Sequence, residues 1–344
     1  MNLPFVSIII PCRNEEGSIN RCLDSVLAQD YPQDKIEVLV VDGMSDDRTR
    51  DIVKELTGKN SGIVLLDNPC RIVPKALNIG VKASRGEFIV RMDAHSLYER
   101  DYVSQCVEFL QRGNFANVGG PMRAVGEDYM GKAIALCHHS FFGLGGGKFH
   151  DEEYEGLADT VYLGAFRRDI FDKVGLFDER LERNQDIEFN ARIRKNGGKI
   201  YLTSVIRSVY RCRSGLAGLW KQNFRNGLWA IYTKAIAPYA LSWRHFVPFV
   251  FFVCLTLSLL LLPVKTLPAN LRLLPLAAVG GSYLAASLFF SLTLSLRKGG
   301  RYFFILPVIF ATLHFSYGMG SVLGLFKIIT AGRNLQERPM TGKL

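Results

Sequence analysis

The sequence predicts an α/β fold: a mainly parallel twisted sheet with helices on both faces, followed by interfacial amphipathic helices and C-terminal transmembrane helices. Two observations lead to this prediction. Short β-rich runs alternate with amphipathic stretches in the first part of the 344-residue chain, and three long apolar stretches occupy its last third. Alternating strands and helices are typical of parallel sheets covered by helices. An apolar helix of about 20 residues is long enough to cross a bilayer.

The predicted elements of the first part follow in a regular order. Strands are expected at Val6–Ile10, Ile36–Val41, Ile63–Leu66 and Glu87–Val90, with helices between them at 18–29, 48–56 and 74–83. Further on, Thr160–Arg168 and Lys199–Val205 are predicted strands on either side of a helix over QDIEFNARI, residues 185–193. Ligands of parallel sheets bind beyond the carboxyl ends of the strands. The residues that follow each strand are therefore the candidates for a functional site.

Three of the predicted strands end in polar, mostly acidic groups. The segments are PCRNEE (11–16), DGMSDD (42–47) and DAH (93–95). Each alone has a structural explanation, because Ser45, Asp47 or Asp93 would serve as a helix cap. Together, at one edge of one sheet, they favour a binding site. No GxGxxG follows the first strand and no GxxxxGK[ST] occurs, so dinucleotide-binding and P-loop sites lose their main support.

The polar groups at these strand ends suit a nucleotide and a metal ion. Arg13 and the carboxylates suit a nucleotide held by base and ribose contacts. Asp93 and His95 suit a divalent metal whose shell is completed by diphosphate oxygens. Asp186 lies in the first turn of its predicted helix, where the helix dipole favours an ionised carboxylate. It is either a plain first-turn acid or a general base.

The last third of the chain predicts a membrane region at 246–326. Its apolar stretches are 246–264, 273–296 and 302–326. Residues 215–245 carry Leu, Trp, Phe and Ile at helical spacing between Lys and Arg, which is typical of helices on a membrane surface. The expected organisation is a cytosolic α/β domain at 1–214, interfacial helices at 215–245, the membrane region, and a basic tail at 327–344.

Charge, cysteine use and the N-terminus indicate where the chain resides. The formal net charge is +10, and Lys and Arg cluster near the apolar stretches, which favours anionic membrane lipids as a partner. The sequence contains no zinc-finger spacing or RNA-binding aromatic signature that would favour nucleic acid. Seven scattered cysteines and a start without signal-peptide features favour the cytosolic side of the cell membrane. Arg297, Lys298 and Arg301 place the second loop inside. Three spans would then put the basic tail outside. Because this conflicts with the rule that positively charged loops stay inside, the number of spans stays open.

Five longer segments of the sequence carry a family resemblance: VSIIIPCRNEEGSINRCLDSVLAQDYP, VVDGMSDDRT, KALNIGVKASRGEFIVRMDAH, FRRDIFDKVGLFDERLERNQDIEFNARIRKNG and KQNFRNG. They resemble the family 2 glycosyltransferases of the GT-A fold, in their succinoglycan-biosynthesis (ExoA-like) branch. The resemblance covers roughly residues 5–227. It implies a GT-A-type catalytic domain followed by hydrophobic spans.

The resemblance implies roles for residues at the donor side of the site. Pro11, Arg13 and Glu15 would line the nucleoside, and Asp42 would hydrogen-bond the base. Asp93 and His95 fall on the two acids of the DxD motif, which contact the ribose and a divalent metal, Mn²⁺ or Mg²⁺, on the diphosphate.

The resemblance also implies roles at the acceptor side. Asp186 falls on the catalytic acid of the ED element, whose Glu is here Gln185. Gln222 and Arg225 match the first and fourth positions of QxxRW, which grip the diphosphate and the acceptor, although Asn226 replaces the Trp. Lys75 is a further candidate for a phosphate contact.

The function that the resemblance implies is inverting transfer of a sugar in polysaccharide or exopolysaccharide synthesis. The donor is a nucleoside-diphosphate sugar, a UDP-sugar by family resemblance, and the acceptor is a hydroxyl of a lipid-linked saccharide. Two alternatives stay open: a polyprenyl-phosphate glycosyltransferase, and a non-catalytic, membrane-anchored nucleotide-sugar-binding protein. A nucleotidyltransferase is disfavoured, because no Gly-rich, Arg-containing loop follows the first strand.

Overall fold

The computed structural model describes residues 3–331, which form two compact units interleaved along the chain. The first unit consists of residues 3–123 and Gly147–Arg211, and the second of Ala124–Gly146 and residues 212–331. A catalytic domain continuous over 1–214 was expected. The structure instead assigns Ala124–Gly146 to the same unit as the C-terminal helices. The predicted basic tail, 327–344, lies mostly outside the described residues.

The first unit contains most of the strands of the chain. Its elements are β1 (Val6–Cys12), α1 (Ile19–Leu27), β2 (Ile36–Asp42), α2 (Thr49–Lys59), β3 (Ile63–Asp67), α3 (Val73–Ala83), β4 (Phe88–Arg91), β5 (Ser96–Tyr98), α4 (Tyr102–Arg112), β6 (Asn117–Gly120), β7 (Arg123–Val125, at the boundary), β8 (Gly156–Leu157), β9 (Tyr162–Arg167), α7 (Asp169–Val174), α8 (Gln185–Lys195), β10 (Ile200–Leu202) and β11 (Ser208–Arg211). Two helices of the second unit, α5 (Tyr129–His138) and α6 (Phe141–Leu144), precede β8 in the chain.

Eight strands of the first unit form one mixed, mainly parallel sheet. Their order is β3-β2-β1-β4-β9-β6-β10-β8. Strands β1 to β4 are mutually parallel, and β10 is parallel to β6. The predicted strand at 160–168 is present as β9, but it runs antiparallel to both of its neighbours. This reversal places the start of β9 at the edge where the parallel strands end.

The core of the first unit lies on both faces of the sheet. Alternate residues of β1 point to opposite sides: Ile8 and Ile10 pack with α1, α2 and α4, whereas Ile9 packs with α3, α7 and α8. Gly80 permits the close approach of α3, since a Cβ there would come within 2.5 Å of the Ile9 side chain. Strands buried on both faces read as continuous apolar runs. For this reason the sequence identifies them correctly.

Apart from β7, the regular secondary structure described in the second unit is helical. Its later helices are α9 (Leu216–Ile236), α10 (Val247–Leu261), α11 (Ala269–Lys298) and α12 (Leu306–Ala331). Helices α9 and α12 touch through glycines: a Cβ on Gly227 would lie 1.9 Å from the Tyr317 carbonyl oxygen, and one on Gly320 1.9 Å from that of Phe224. Ser321 Oγ donates to the Gly227 carbonyl at 3.1 Å. Most of the predicted interfacial segment, 215–245, is thus one 21-residue helix, α9, with a face packed on α12. Its place at a membrane surface stays a prediction.

Three helices of the second unit are long and apolar enough to cross a membrane. They span Trp243–Leu261, Ala269–Lys298 and Leu306–Thr330. The predicted apolar stretches coincide with them to within a few residues. Few residues of the first two are buried, whereas about half of the residues of the third are. The structure therefore confirms a C-terminal group of apolar helices that fits membrane anchoring.

Candidate active site

The carboxyl ends of β2, β1 and β4 lie side by side, as the sequence predicts. Cys12 pairs with Asp42 across β1 and β2, and Ile9 pairs with Arg91 across β1 and β4. The segments 11–16, 42–47 and 93–95 therefore begin at one edge of the sheet. This edge of the first unit is the candidate active site.

The loops after β1 and β2 are tied together by side chains that bind the backbone of the other loop. Asn14 N donates to Ser45 Oγ at 2.9 Å, and Asn14 Oδ1 accepts from Asp46 N at 3.1 Å. Glu15 N donates to Thr49 Oγ1 at 2.7 Å. Asn14 and Met44 both adopt positive φ angles, of 55° each. Non-glycine residues keep this conformation only when their surroundings hold them in it, so the two loops form one rigid support.

The predicted base-binding residue Asp42 is fully buried and holds its own loop. It accepts hydrogen bonds from Ser45 N and Oγ and from Arg50 Nη1, and Arg50 also reaches Asp67 at 2.8 Å. Burial raises the pKa of Asp42, but the bonds from Ser45 and Arg50 outweigh this and lower its pKa below the ordinary value. Asp42 is therefore ionised, and a direct bond to a base remains a prediction. Arg13 is exposed beside it, with its stem against Gly43.

Asp93 lies two residues after β4 and is paired with a buried arginine. Its Oδ1 accepts from Nε and Nη2 of Arg91, both at 3.2 Å. Only 10% of the Arg91 side chain is exposed. Burial lowers the pKa of Arg91, but the charges of Asp93 and Asp186 outweigh it and raise its pKa. The Asp93 backbone is fixed by Tyr98, whose hydroxyl contacts both its N and its O.

His95 is bound to Glu15, a contact between residues 80 positions apart. His95 Nδ1 lies 3.0 Å from Glu15 Oε1. Burial raises the pKa of Glu15, but the bonds from His95 and Ser18 outweigh it and lower its pKa. An ionised Glu15 accepts, so Nδ1 is the donor nitrogen of this contact. Carboxylates orient metal-binding histidines in this way.

Asp186 lies in the first turn of α8, as predicted. The helix follows Asn184, which adopts the left-handed conformation with φ 61°. Asp186 Oδ1 accepts from Ile187 N at 2.9 Å, and Oδ2 lies 3.9 Å from Arg91 Nη1. The Asp186 side chain is 37% exposed. It is thus accessible to a substrate while it faces the arginine that holds Asp93.

The other predicted residues lie in different surroundings. Pro11 is half-buried within β1. Lys75, at the start of α3, forms an ion pair with Glu179 at 2.9 Å, which leaves its phosphate contact a prediction. Gln222 and Arg225 lie on α9 in the second unit, one helical turn apart. The structure therefore brings together Glu15, His95, Asp93 and Asp186 within the first unit.

The donor groups at Asp93 and His95 fit a divalent metal that completes its shell with substrate oxygens. Among residues 3–331 no group of three or more His, Cys, Asp or Glu side chains is placed to hold an ion alone. One carboxylate, of Asp93, and one imidazole, of His95, would be the protein ligands, and Glu15 orients the imidazole. Metals that act on nucleotide phosphates are usually held by one or two protein groups together with phosphate oxygens. The chemistry of the two residues thus agrees with a diphosphate-bound ion.

Sequence reasoning missed two residues at this edge. Arg91 is the last residue of an apolar strand and was not singled out, although an arginine ending a buried strand is itself a signal. Tyr162 begins β9, and its hydroxyl lies 3.1 Å from Ser96 Oγ. It was missed because β9 was not expected to be antiparallel, so only the residues after the strands were considered.

Known proteins resemble this chain in sequence. The family model for glycosyl transferase family 2 matches residues 7–175. A dolichyl N-acetylglucosaminyl phosphate 3-β-diacetamido-dideoxyglucuronosyltransferase of Methanococcus voltae is 35% identical over 231 residues, which are 65% of this chain and 72% of that protein. The succinoglycan biosynthesis protein ExoA of Rhizobium meliloti is 32% identical over 222 residues, which are 64% of this chain and 67% of that one.

Two solved structures share the fold. The mannosyltransferase PcManGT from Pyrobaculum calidifontis, in complex with GDP-Man and Mn²⁺, has a TM-score of 0.58 at 22% identity, covering 95% of this chain and 88% of that one. TarS 1–349 of Staphylococcus aureus, in complex with UDP-GlcNAc, has a TM-score of 0.52 at 17% identity, covering 92% and 90%. These likenesses show the GT-A-type fold. With the family match and the relatives above 30% identity, they establish that this chain belongs to the family 2 glycosyltransferases.

Proposed function

We propose that this glycosyltransferase moves a sugar from a nucleoside-diphosphate sugar to a hydroxyl of a lipid-linked saccharide. The observation that carries the proposal is the placement of Asp186, an accessible carboxylate at the sheet edge, 3.9 Å from the guanidinium that holds Asp93. A candidate base and the acid of the DxD position therefore share one edge. The Methanococcus voltae relative, whose name gives a dolichyl-linked sugar phosphate as acceptor, supports the acceptor class.

The chemistry follows from the residues at this edge. Asp186 takes the proton of the acceptor hydroxyl while its oxygen attacks the anomeric carbon from the face opposite the nucleotide. The bond from that carbon to the diphosphate breaks, its electron pair leaves with the diphosphate, and the configuration inverts. A divalent ion held by Asp93 and His95 supplies positive charge to the leaving group when it is bound. Arg13, Pro11, Glu15 and Asp42 form the proposed nucleoside side of the site.

We propose Mn²⁺ as the better metal. An imidazole ligand in place of a carboxylate removes one negative charge and adds a nitrogen donor, and nitrogen donors bind Mn²⁺ better than Mg²⁺. The Pyrobaculum calidifontis structure contains Mn²⁺ with its GDP-sugar, which supports the choice. Both UDP- and GDP-sugars are candidate donors to test, because the two solved structures with this fold contain one or the other.

The decisive experiment incubates membranes that contain the protein with labelled UDP- and GDP-sugars and a panel of lipid-linked acceptors. Each pair is assayed with Mn²⁺, Mg²⁺ or chelator. We expect label to enter the lipid fraction with one donor and a saccharide-bearing acceptor. Label that appears only on a bare polyprenyl phosphate would replace the proposal by a polyprenyl-phosphate glycosyltransferase. No transfer from any donor, with nucleotide binding retained, would indicate a binding protein.

We also propose that the first unit faces the cytosol from the cell membrane. Cys70 is exposed in this unit, so its labelling shows on which side of the membrane the unit lies. A membrane-impermeant maleimide should label Cys70 in inverted vesicles and not in right-side-out ones, with Cys70→Ser as the control. The opposite pattern would contradict the orientation.

A further inference from the structure

Arg91 is the central cation of the candidate site, and only two of its three guanidinium nitrogens bind Asp93. Nε and Nη2 both donate to Asp93 Oδ1. Nη1 is fully buried and makes no hydrogen bond within the described part of the chain. A buried N–H group of a charged side chain without an acceptor is costly, and native structures retain such groups mainly where function requires them.

The nitrogen without a hydrogen bond lies near Asp186. Nη1 lies 3.9 Å from Asp186 Oδ2, which is about 1 Å longer than a charge-assisted hydrogen bond. Asp186 is held from its other side, since Oδ1 accepts from Ile187 N. A displacement of about 1 Å at the start of α8 would close the Arg91 contact. Because the guanidinium is rigid and planar, binding Asp93 through Nε and Nη2 leaves Nη1 on the side of Asp186.

We propose that Arg91 is a positioning residue for Asp186, and that the Nη1 contact fixes the carboxylate in the orientation in which it accepts the proton of the acceptor hydroxyl. The inference rests on the proposed function, because it takes Asp186 to be the base. One rigid guanidinium then sets the distance between the carboxylate on the donor side and the carboxylate on the acceptor side. A lysine has a single ammonium group and does not provide three directed N–H groups in one plane.

The first test separates positioning from donor binding. kcat and donor KM are measured for the wild type, Arg91→Lys and Arg91→Gln. We expect Arg91→Gln to lower kcat about 100-fold, because a catalytic group displaced by 1 Å loses about that much. Loss of the two bonds to Asp93 raises donor KM by a smaller factor. Arg91→Lys restores little, since it lacks the planar fork. A raised donor KM with unchanged kcat would assign Arg91 to the donor and overturn the proposal.

The second test asks whether Arg91 acts through Asp186. The same Arg91→Gln change is made in an Asp186→Glu background, in which the carboxylate is displaced by one methylene. We expect its effect on kcat to shrink below about threefold, because coupled residues give non-additive effects. Arg192→Gln is the matched control: it removes a cation from the other end of α8, where Arg192 binds Glu188, and should be additive. Equal losses in both backgrounds would overturn the proposal.

A third measurement does not depend on turnover. Thermal unfolding in detergent is compared for Arg91→Gln, Asp186→Asn and the double variant, and calorimetry follows UDP or GDP binding. Coupling predicts that the double variant loses less in Tm than the sum of the two single losses. If the wild type transfers no sugar, the proposed function fails and this cycle alone decides whether Arg91 and Asp186 interact. Additive Tm losses would show that they do not.

Discussion

The two units of this chain place their apolar side chains in opposite ways. The first unit buries them on both faces of its sheet. The second unit exposes them along its long helices, as at Leu260, Leu274 and Phe289. The first arrangement is that of a protein folded in water, and the second is that of helices surrounded by hydrocarbon. Substitutions of the same kind should therefore act differently in the two units.

The contacts that hold each unit together differ in the same way. Burial of apolar area stabilises the first unit. Hydrocarbon is as apolar as the helices it surrounds, so the second unit depends more on close backbone packing, as at Gly227 and Gly320. Four changes test this comparison, from the largest expected effect to the smallest.

The change at the candidate base is expected to have the largest effect. Asp186→Asn should lower sugar transfer by about 10²–10⁴-fold, which is the usual contribution of a general base. Nucleoside-diphosphate binding, measured by calorimetry, should remain. Asp169→Asn is the control, because Asp169 is also a first-turn acid but pairs with Lys173 on α7. Transfer by Asp186→Asn at the wild-type rate would show that another group is the base.

The glycine contact of the second unit is expected to respond next. Gly320→Leu should lower the free energy of unfolding by about 3 kcal/mol, the upper end of overpacking costs, because backbone rather than a flexible side chain occupies the space. Thermal unfolding in detergent measures the change. Gly281→Leu is matched in chemistry, but no atom lies within 4 Å of its Cβ position, so it should change Tm little. Equal losses for the two variants would contradict backbone packing as the source of stability.

The imidazole at the DxD position is expected to affect metal choice. Activity of the wild type should be higher with Mn²⁺ than with Mg²⁺, and His95→Asp should reduce that preference about tenfold, because a carboxylate replaces the nitrogen donor. The ratio of activities with the two metals is the measurement. Activity that is equal with both metals, or that survives chelation, would show that His95 contacts the diphosphate directly.

A buried carboxylate remote from the site is expected to give the smallest effect. Burial raises the pKa of Glu37, but hydrogen bonds from Ser7 and Arg85 outweigh it and lower its pKa. Glu37 therefore stabilises the fold above its unfolded-state pKa of about 4.3, and this contribution is lost as the pH falls through the folded-state value. Glu37→Gln should cost about 1 kcal/mol at pH 7 and flatten the decline of Tm as the pH falls below about 4.3. An unchanged decline would assign the acid sensitivity to other groups.

Local signals were sufficient to predict most of the fold and part of the site. The strands β1 to β4 are continuous apolar runs, and their parallel order brings Glu15, Asp93 and His95 to one edge. The antiparallel direction of β9 depends on pairing between distant segments, so the sequence did not reveal Tyr162. The Glu15 to His95 contact and the role of Arg91 between two acids also depend on tertiary packing, since no local pattern encodes them.

Ala124–Gly146 belongs to the second unit although it lies between the two segments of the first, and this has a consequence for engineering. Ala133 and Ile134 of α5 belong to one apolar cluster with Ile309 and Phe310 of α12. Truncation after residue 211 would remove α12 and leave α5 without the partners that bury these side chains. A chimera that exchanges the membrane part between relatives must therefore exchange two separate stretches of the gene. The two units are interleaved along the chain rather than joined end to end.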